Sequence, residues 1–278
     1  MTAKAPSHIQ RLITLITGAL RPPAGAGRIA LAYAYGIACH AIFTAAVLAM
    51  ITAMFFGMSE SLGQVSAPWH ILANAALILQ FPLMHSLLLS KRGGRILGKL
   101  APARHAGTLS TTTYAIIASI QLLALFALWT PSGIIWWRAE GLAFAAICTA
   151  YAASWALLMK ASFDAGAEVQ SGALGWMSLA ANRKPIFPPM PTTGLFRVIR
   201  QPIYVAFALT LWTVPVWTPD QLALAVTLTA YCLLAPILKE SRFKARYGAE
   251  FETYKRHVPY ALPGLTRKLN DNASNTAQ

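Results

Sequence analysis

The chain has 278 residues, of which 56% are hydrophobic and only 12% are charged, and its formal net charge at pH 7 is +14. Soluble domains carry roughly 25% charged residues, so this composition excludes an ordinary soluble protein. The apolar residues are gathered in long runs, which indicate one integral membrane domain.

The first 28 residues are expected to stay at the membrane surface. Ile9, Leu12, Ile16 and Leu20 recur at the spacing of an amphipathic helix, and such a helix lies in the interface with its apolar face toward the lipid. The stretch RPPAGAG at 21–27 then interrupts the helix before the first long apolar run.

Six apolar runs follow, each close to the roughly 20 residues that a transmembrane helix needs. They cover residues 29–56, 69–89, 112–130, 139–160, 202–217 and 220–238. We therefore predict an all-α, polytopic integral membrane protein with about six transmembrane helices. The last two should form a helical hairpin with a connection of only about two residues, Thr218 and Pro219.

The basic residues sort to one side of this arrangement. With six spans, all Lys and Arg residues except Arg138 fall in or beside the two terminal segments and the second and fourth connections. Cytosolic segments of membrane proteins carry such an excess, so both termini are predicted to be cytoplasmic, at the inner membrane if the protein is bacterial. Orientation and contact with lipid headgroups explain the positive charge, and nucleic acid is not expected as a partner.

The cysteines carry no sign of a metal site. Cys39, Cys148 and Cys232 each lie inside a predicted span and do not have the spacing of metal ligands. Their expected role is small apolar packing, and no metal is predicted.

The last hairpin is flanked by polar groups that suit a ligand. Pro202 fits the first turn of a helix, and the free N–H groups of that turn, with Arg200 beside them, can bind an anionic group. Tyr204 lies one turn further in, while Glu240 follows the sixth span. An acid with aromatic side chains suits a cation. A site for both a carboxylate and a cation matches S-adenosylmethionine, although each arginine or tyrosine alone also fits an interface anchor.

Three motifs in this region resemble a known signature. They are RxxRQPIY at 197–204, KESRF at 239–243 and YGxEFxxYKRHVPYxLP at 247–263. This pattern is similar to the C-terminal signature of the integral membrane methyltransferases, which include isoprenylcysteine carboxyl methyltransferase, phospholipid N-methyltransferase and methanethiol S-methyltransferase. The resemblance covers about residues 185–263. It implies that S-adenosylmethionine binds from the cytosolic side, at positions matching Arg200, Gln201, Pro202, Tyr204, Glu240, Tyr247 and Tyr254.

Further motifs upstream point to one branch of this superfamily. FPLMHS at 81–86, TTY at 112–114 and WTPSGIIW at 129–136 are similar to the methanethiol S-methyltransferase branch. The apolar runs and the motifs together predict four segments. Residues 1–28 are expected to form a cytosolic segment with an interfacial helix, 29–160 four transmembrane helices, 161–268 a methyltransferase-like core with the last two transmembrane helices, and 269–278 a disordered tail.

Two positions depart from the superfamily pattern. Gln201 stands where the pattern has histidine, and Lys239 stands where it has the first of two glutamates. Glutamine cannot carry charge, and a lysine reverses the charge near the expected sulfonium. The lysine side chain could extend to the headgroups or pair with an acid.

Methyl transfer to a thiol or an amine also needs a proton acceptor. His85 within the second span, Glu240 and His257 are the candidate bases, and a histidine inside a membrane is a functional candidate. The structural alternative for His85 is a hydrogen bond to a backbone carbonyl. The catalytic residues predicted are His85, Glu240 and Arg200.

The predicted function is therefore S-adenosylmethionine-dependent methylation of a small thiol like methanethiol or of a lipophilic acceptor, with membrane lipids as further partners. Two alternatives stay open. One is a carboxyl or phospholipid amine methyltransferase. The other is a non-catalytic membrane assembly protein of the same fold, which the departures at Gln201 and Lys239 favour.

Overall fold

The structure, a computed structural model, describes residues 8–263, so the predicted tail at 269–278 lies outside the described residues. The described part is almost entirely helical. Its α-helices are α1 His8–Leu20, α2 Ala26–Phe55, α3 Trp69–Leu88, α4 Lys91–Leu100, α5 Ala106–Ala127, α6 Gly141–Asp164, α7 Ala167–Gln170, α8 Ala173–Ala180, α9 Pro202–Trp212, α10 Pro219–Tyr247 and α11 Ala249–His257. Two 3₁₀ turns, Ala103–His105 and Gly194–Arg197, and two short strands, β1 Trp137–Arg138 and β2 Val216–Trp217, complete it.

The helices confirm an all-α polytopic membrane protein. Among the described residues, α2, α3, α5, α6 and α10 are long and apolar enough to cross a membrane. The central helix α5 packs against α2, α3 and α8, while α9 packs against α6 and α10. The amphipathic helix predicted near the N-terminus is α1, whose exposed face carries Ile9, Ile13 and Leu20.

The fifth predicted span differs from the structure. The predicted helix over 202–217 ends at Trp212, and residues 213–218 form the connection to α10 instead of a two-residue turn. One cause is local, because Pro215 cannot donate a helical hydrogen bond. The other is tertiary, because Val216–Trp217 pair as β2 with the distant β1 in antiparallel register. An 11-residue helix is about 16 Å long, roughly half the thickness of a bilayer core.

The far end of the bundle, defined by β1, β2 and the start of α10, is held together by Asp220. This buried carboxylate accepts hydrogen bonds from Trp129 Nε1 at 3.0 Å, from the Ser132 backbone N–H at 2.9 Å and from Ser132 Oγ at 2.6 Å. Thr218 caps α10 by accepting from the Gln221 N–H at 2.9 Å. The WTPS part of the upstream motif therefore has a structural role in this fold.

The sixth predicted span continues as a helix beyond its apolar run. The residues after 238 are good helix formers without glycine or proline, so α10 extends to Tyr247 and ends at Gly248, whose φ is +51°. Helix α11 then folds back on α10, with Phe243 packed edge-on against Phe251 at 6.0 Å between ring centroids. This extension carries Lys239 and Glu240.

Candidate active site

The site end of the bundle, defined by the start of α9 and the end of α10, is closed by the C-terminal segment, residues 249–260. The backbone N–H of Arg200 donates to the carbonyl of Pro259 at 2.9 Å, and that of Gln201 donates to the carbonyl of Tyr260 at 3.1 Å. These bonds place the VPY part of the signature directly against the RQPIY part. Pro202, the first residue of α9, is also buried.

Arg200 is the centre of this contact and is only 8% exposed. Its Nε donates to Glu240 Oε1 at 2.8 Å, and its Nη1 donates to the carbonyls of Lys255 at 3.0 Å and Val258 at 2.7 Å. The ring of Tyr260 lies 5.5 Å from the guanidinium carbon. Charge-assisted bonds of this kind are stronger than neutral ones, and an unpaired buried charge is costly. Arg200 therefore joins α9, α10 and the C-terminal segment.

Gln201 connects the two halves of the site. Its Nε2 donates to the same Glu240 Oε1 at 2.8 Å, and its Oε1 accepts from Lys239 Nζ at 3.0 Å. Both amide atoms are thus satisfied, although the residue is almost fully buried. The two positions that depart from the superfamily pattern therefore contact each other.

Lys239 lies among three aromatic rings. Its Nζ is 5.3 Å from the ring centroid of Phe196, 5.3 Å from that of Phe243 and 5.9 Å from that of Tyr204. These distances are within the range of cation–π attraction. Of the two arrangements expected from the sequence, extension to the headgroups and pairing with an acid, neither describes the contacts of this ammonium, which are with Gln201 and the rings.

Two further predicted residues support this cluster from outside. The hydroxyl of Tyr254 donates to the carbonyl of Phe196 at 2.6 Å, and burial raises the pKa of Tyr254 to about 12, so it stays a neutral donor. Tyr247 packs edge-on against Phe243 at 5.6 Å and lies under Arg246. Tyr247 is thus brought near the cluster but does not contact Arg200 or Glu240.

His85 belongs to a second polar cluster, near the end of α3. Its Nε2 lies 2.7 Å from the hydroxyl of Tyr114, and its Nδ1 is buried without a hydrogen-bond partner among residues 8–263. The rings of Phe81 and Tyr231 lie 5.0 Å and 6.3 Å from the imidazole. The partner of His85 is thus the tyrosine of the TTY motif and not a backbone carbonyl. His257 bonds the carbonyl of Thr253 on the exposed face of α11.

Helix α10 links the two clusters. Tyr231 and Lys239 are about two turns apart on that helix, about 12 Å along its axis. Sequence reasoning missed Phe196, Phe243 and Tyr231. The spacing of Tyr231, Lys239 and Phe243 on α10 is the signal that could have found two of them.

Comparison with known proteins agrees with the motifs. The chain is 27% identical over 242 residues to a methanethiol S-methyltransferase of Crocosphaera subtropica, covering 84% of this chain and 92% of that protein. It is 27% identical over 203 residues to one of Pseudomonas deceptionensis (73% and 76%) and 25% identical over 256 residues to methanethiol S-methyltransferase 2 of Bradyrhizobium diazoefficiens (86% and 93%). No family model and no solved structure matches the chain. The resemblance to the integral membrane methyltransferases is thus confirmed, and within them the chain is similar to the methanethiol S-methyltransferase branch.

Proposed function

We propose that the protein is an integral membrane methyltransferase that uses S-adenosylmethionine to methylate methanethiol or a similarly small thiol. The observation that carries the proposal is the cluster of Arg200, Gln201 and Glu240, which the fold assembles from the two ends of the shared signature. The names of the relatives support the acceptor.

The residues of the cluster fit the amino acid end of S-adenosylmethionine. Arg200 Nη2 and Glu240 Oε2 take part in none of the hydrogen bonds seen within residues 8–263, whereas Nε, Nη1 and Oε1 are all engaged. A guanidinium N–H suits a carboxylate, and a carboxylate oxygen suits an ammonium group. When bound, the cofactor would supply an electrophilic methyl group whose leaving thioether is neutral.

The second cluster fits an acceptor that must lose a proton. In the tautomer in which His85 Nε2–H donates to Tyr114, the unpartnered Nδ1 carries the lone pair and can take the proton of a thiol. The thiolate would accept the cofactor's methyl group as the bond from that carbon to the sulfonium sulfur breaks, and His85 Nδ1 would hold the thiol proton until solvent removes it. The rings of Phe81 and Tyr231 beside His85 would limit the access of water to the thiol.

This second cluster also distinguishes the acceptors. A carboxylate acceptor needs no base, so the His85–Tyr114 pair favours a thiol over a prenylcysteine carboxylate. A phospholipid amine needs a base too, and it remains the alternative that an acceptor screen decides. The position of Lys239 among the rings favours a further candidate, a non-catalytic assembly protein, and that candidate predicts no cofactor binding.

We further propose that the site end faces the cytosol and that residues 161–268 form the cofactor-binding core. Thr218 lies at the start of α10, and Gln201 bonds Glu240, about 20 residues further along the same helix. Thr218 and Gln201 are therefore about 30 Å apart along the axis of α10. Although α9 is short, the segment 202–218 thus extends over about the thickness of a bilayer core. Arg138 lies at the far end, opposite the other basic segments, as the positive-inside rule requires.

Calorimetry on the detergent-purified protein tests the cofactor. We expect micromolar binding of both S-adenosylmethionine and S-adenosylhomocysteine, with binding lost in Glu240→Gln, which keeps an oxygen acceptor for Arg200 but removes the charge. Arg197 is exposed, so Arg197→Ala is the matched control and should bind normally. A well-folded wild-type protein that binds neither compound would contradict the proposal and favour the assembly protein.

A further inference from the structure

We propose that Phe196, Tyr204 and Phe243 form a subsite for the sulfonium group of S-adenosylmethionine, and that the ammonium of Lys239 occupies this subsite as an internal competitor. The inference rests on the proposed function. It adds a ligand group for these three rings and a role for Lys239, the residue that departs from the superfamily pattern.

The first argument is the geometry of the rings. Phe196 comes from the 3₁₀ turn at Gly194–Arg197, Tyr204 from α9 and Phe243 from α10, so three separate elements converge on one point. That point holds a cation, because the Lys239 Nζ lies within 6 Å of all three ring centroids. Several aromatic faces around one cation are the arrangement by which proteins recognise methylated onium ions.

The second argument is the position of the rings relative to the charged cluster. Gln201 hydrogen-bonds both Lys239 and Glu240, so the aromatic cage adjoins the carboxylate and Arg200. A ligand with a carboxylate, an ammonium and a second cationic group a few bonds away would bind to both parts at once. An amino acid that carries a sulfonium in its side chain has these three groups.

The third argument is that Lys239 can leave. Among the described residues its hydrogen bond to Gln201 Oε1 is the polar contact seen for the ammonium, and no salt bridge within 4.0 Å holds it there. Its four-carbon stem is flexible, and the residue is only partly buried. Two cations in one cage repel each other, so the sulfonium enters as the ammonium moves out. A neutral thioether meets no such competition.

Comparing a charged and a neutral ligand tests this directly. Calorimetry would measure the affinities of S-adenosylmethionine and S-adenosylhomocysteine for the wild type, Lys239→Met and Lys239→Arg. We expect Lys239→Met to raise the affinity for S-adenosylmethionine relative to the affinity for S-adenosylhomocysteine. The ratio of the two affinities should rise by roughly 2- to 30-fold, the range of a cation–π contact. Lys239→Arg keeps the charge and should leave the ratio near that of the wild type.

A second variant assigns the effect to the rings. Phe243→Leu, introduced together with Lys239→Met, should remove the gain for S-adenosylmethionine while leaving the affinity for S-adenosylhomocysteine unchanged. A ratio that is unchanged or lower in Lys239→Met, with both ligands still bound, would overturn this inference and leave the proposed function standing. Failure of every folded variant to bind either ligand would overturn both.

Discussion

The ammonium of Lys239 donates a hydrogen bond of 3.0 Å to the side-chain oxygen of Gln201. These are the two positions at which the chain departs from the superfamily pattern, and each alone looks like the loss of a functional group. In the fold they form one contact, and the other end of the Gln201 amide still bonds Glu240. The two departures therefore contact each other, and Gln201 keeps a hydrogen bond to Glu240.

The hydrogen bond between Gln201 and Lys239 should contribute to the free energy of unfolding. A double-mutant cycle with Gln201→Ala and Lys239→Met should give a favourable coupling energy of about 1.5–3 kcal/mol, the range of a hydrogen bond to a charged group. Thermal unfolding of the four proteins in one detergent provides the measurement. Additive effects of the two substitutions would show that the contact contributes nothing to stability.

Arg200 should control how firmly the C-terminal segment docks. In Arg200→Lys the single ammonium cannot reproduce the bonds to Glu240, Lys255 and Val258 together. We expect faster hydrogen exchange in residues 249–260, and a loss of stability of about 2–4 kcal/mol, because the fork geometry is lost next to a buried carboxylate. The exposed Arg197→Lys serves as the control, and equal exchange in both variants would contradict the assignment.

His85 should affect turnover without affecting cofactor binding. His85→Ala is expected to lower kcat for a thiol by about 10²- to 10⁴-fold, the usual contribution of a general base, with the affinity for S-adenosylhomocysteine unchanged. The loss should shrink as the pH rises toward the pKa of the free thiol, because an ionised thiol needs no base. His257→Ala, on the exposed face of α11, is the matched control. A pH-independent defect would mean that His85 has a structural role only.

Tyr254 should contribute to alkaline stability with a defined sign. Its pKa is raised by burial to about 12, while in the unfolded chain the hydroxyl ionises near 10. Between these values the unfolded state binds fewer protons, so wild-type stability should fall as the pH rises from about 10 to about 12. Tyr254→Phe should be about 1 kcal/mol less stable at neutral pH, having lost the bond to Phe196, yet fall less steeply. Parallel curves for the two proteins would refute this.

Apolar run length and the shared motifs were enough to predict the class, five of the membrane helices and the presence of Arg200 and Glu240 at one end of the last hairpin. They could not give the true end of α9, because the pairing of β2 with β1 joins segments far apart in the chain. Nor could they give the partner of Lys239, since Phe196 is brought there by a turn that follows a proline-rich connection. Contacts carried by loops depend on tertiary structure, whereas helix periodicity is local.

The most direct measurement is methyl transfer itself. Purified protein in lipid nanodiscs would receive methanethiol and S-adenosylmethionine labelled in its methyl group, and the headspace would be analysed for labelled dimethyl sulfide. Prenylcysteine and phospholipid amine acceptors would be tested in parallel reactions. We predict that labelled dimethyl sulfide forms with the wild type and the Arg197→Ala control, and is lost in Glu240→Gln. A folded wild type that binds the cofactor but forms no labelled dimethyl sulfide would contradict the proposed acceptor.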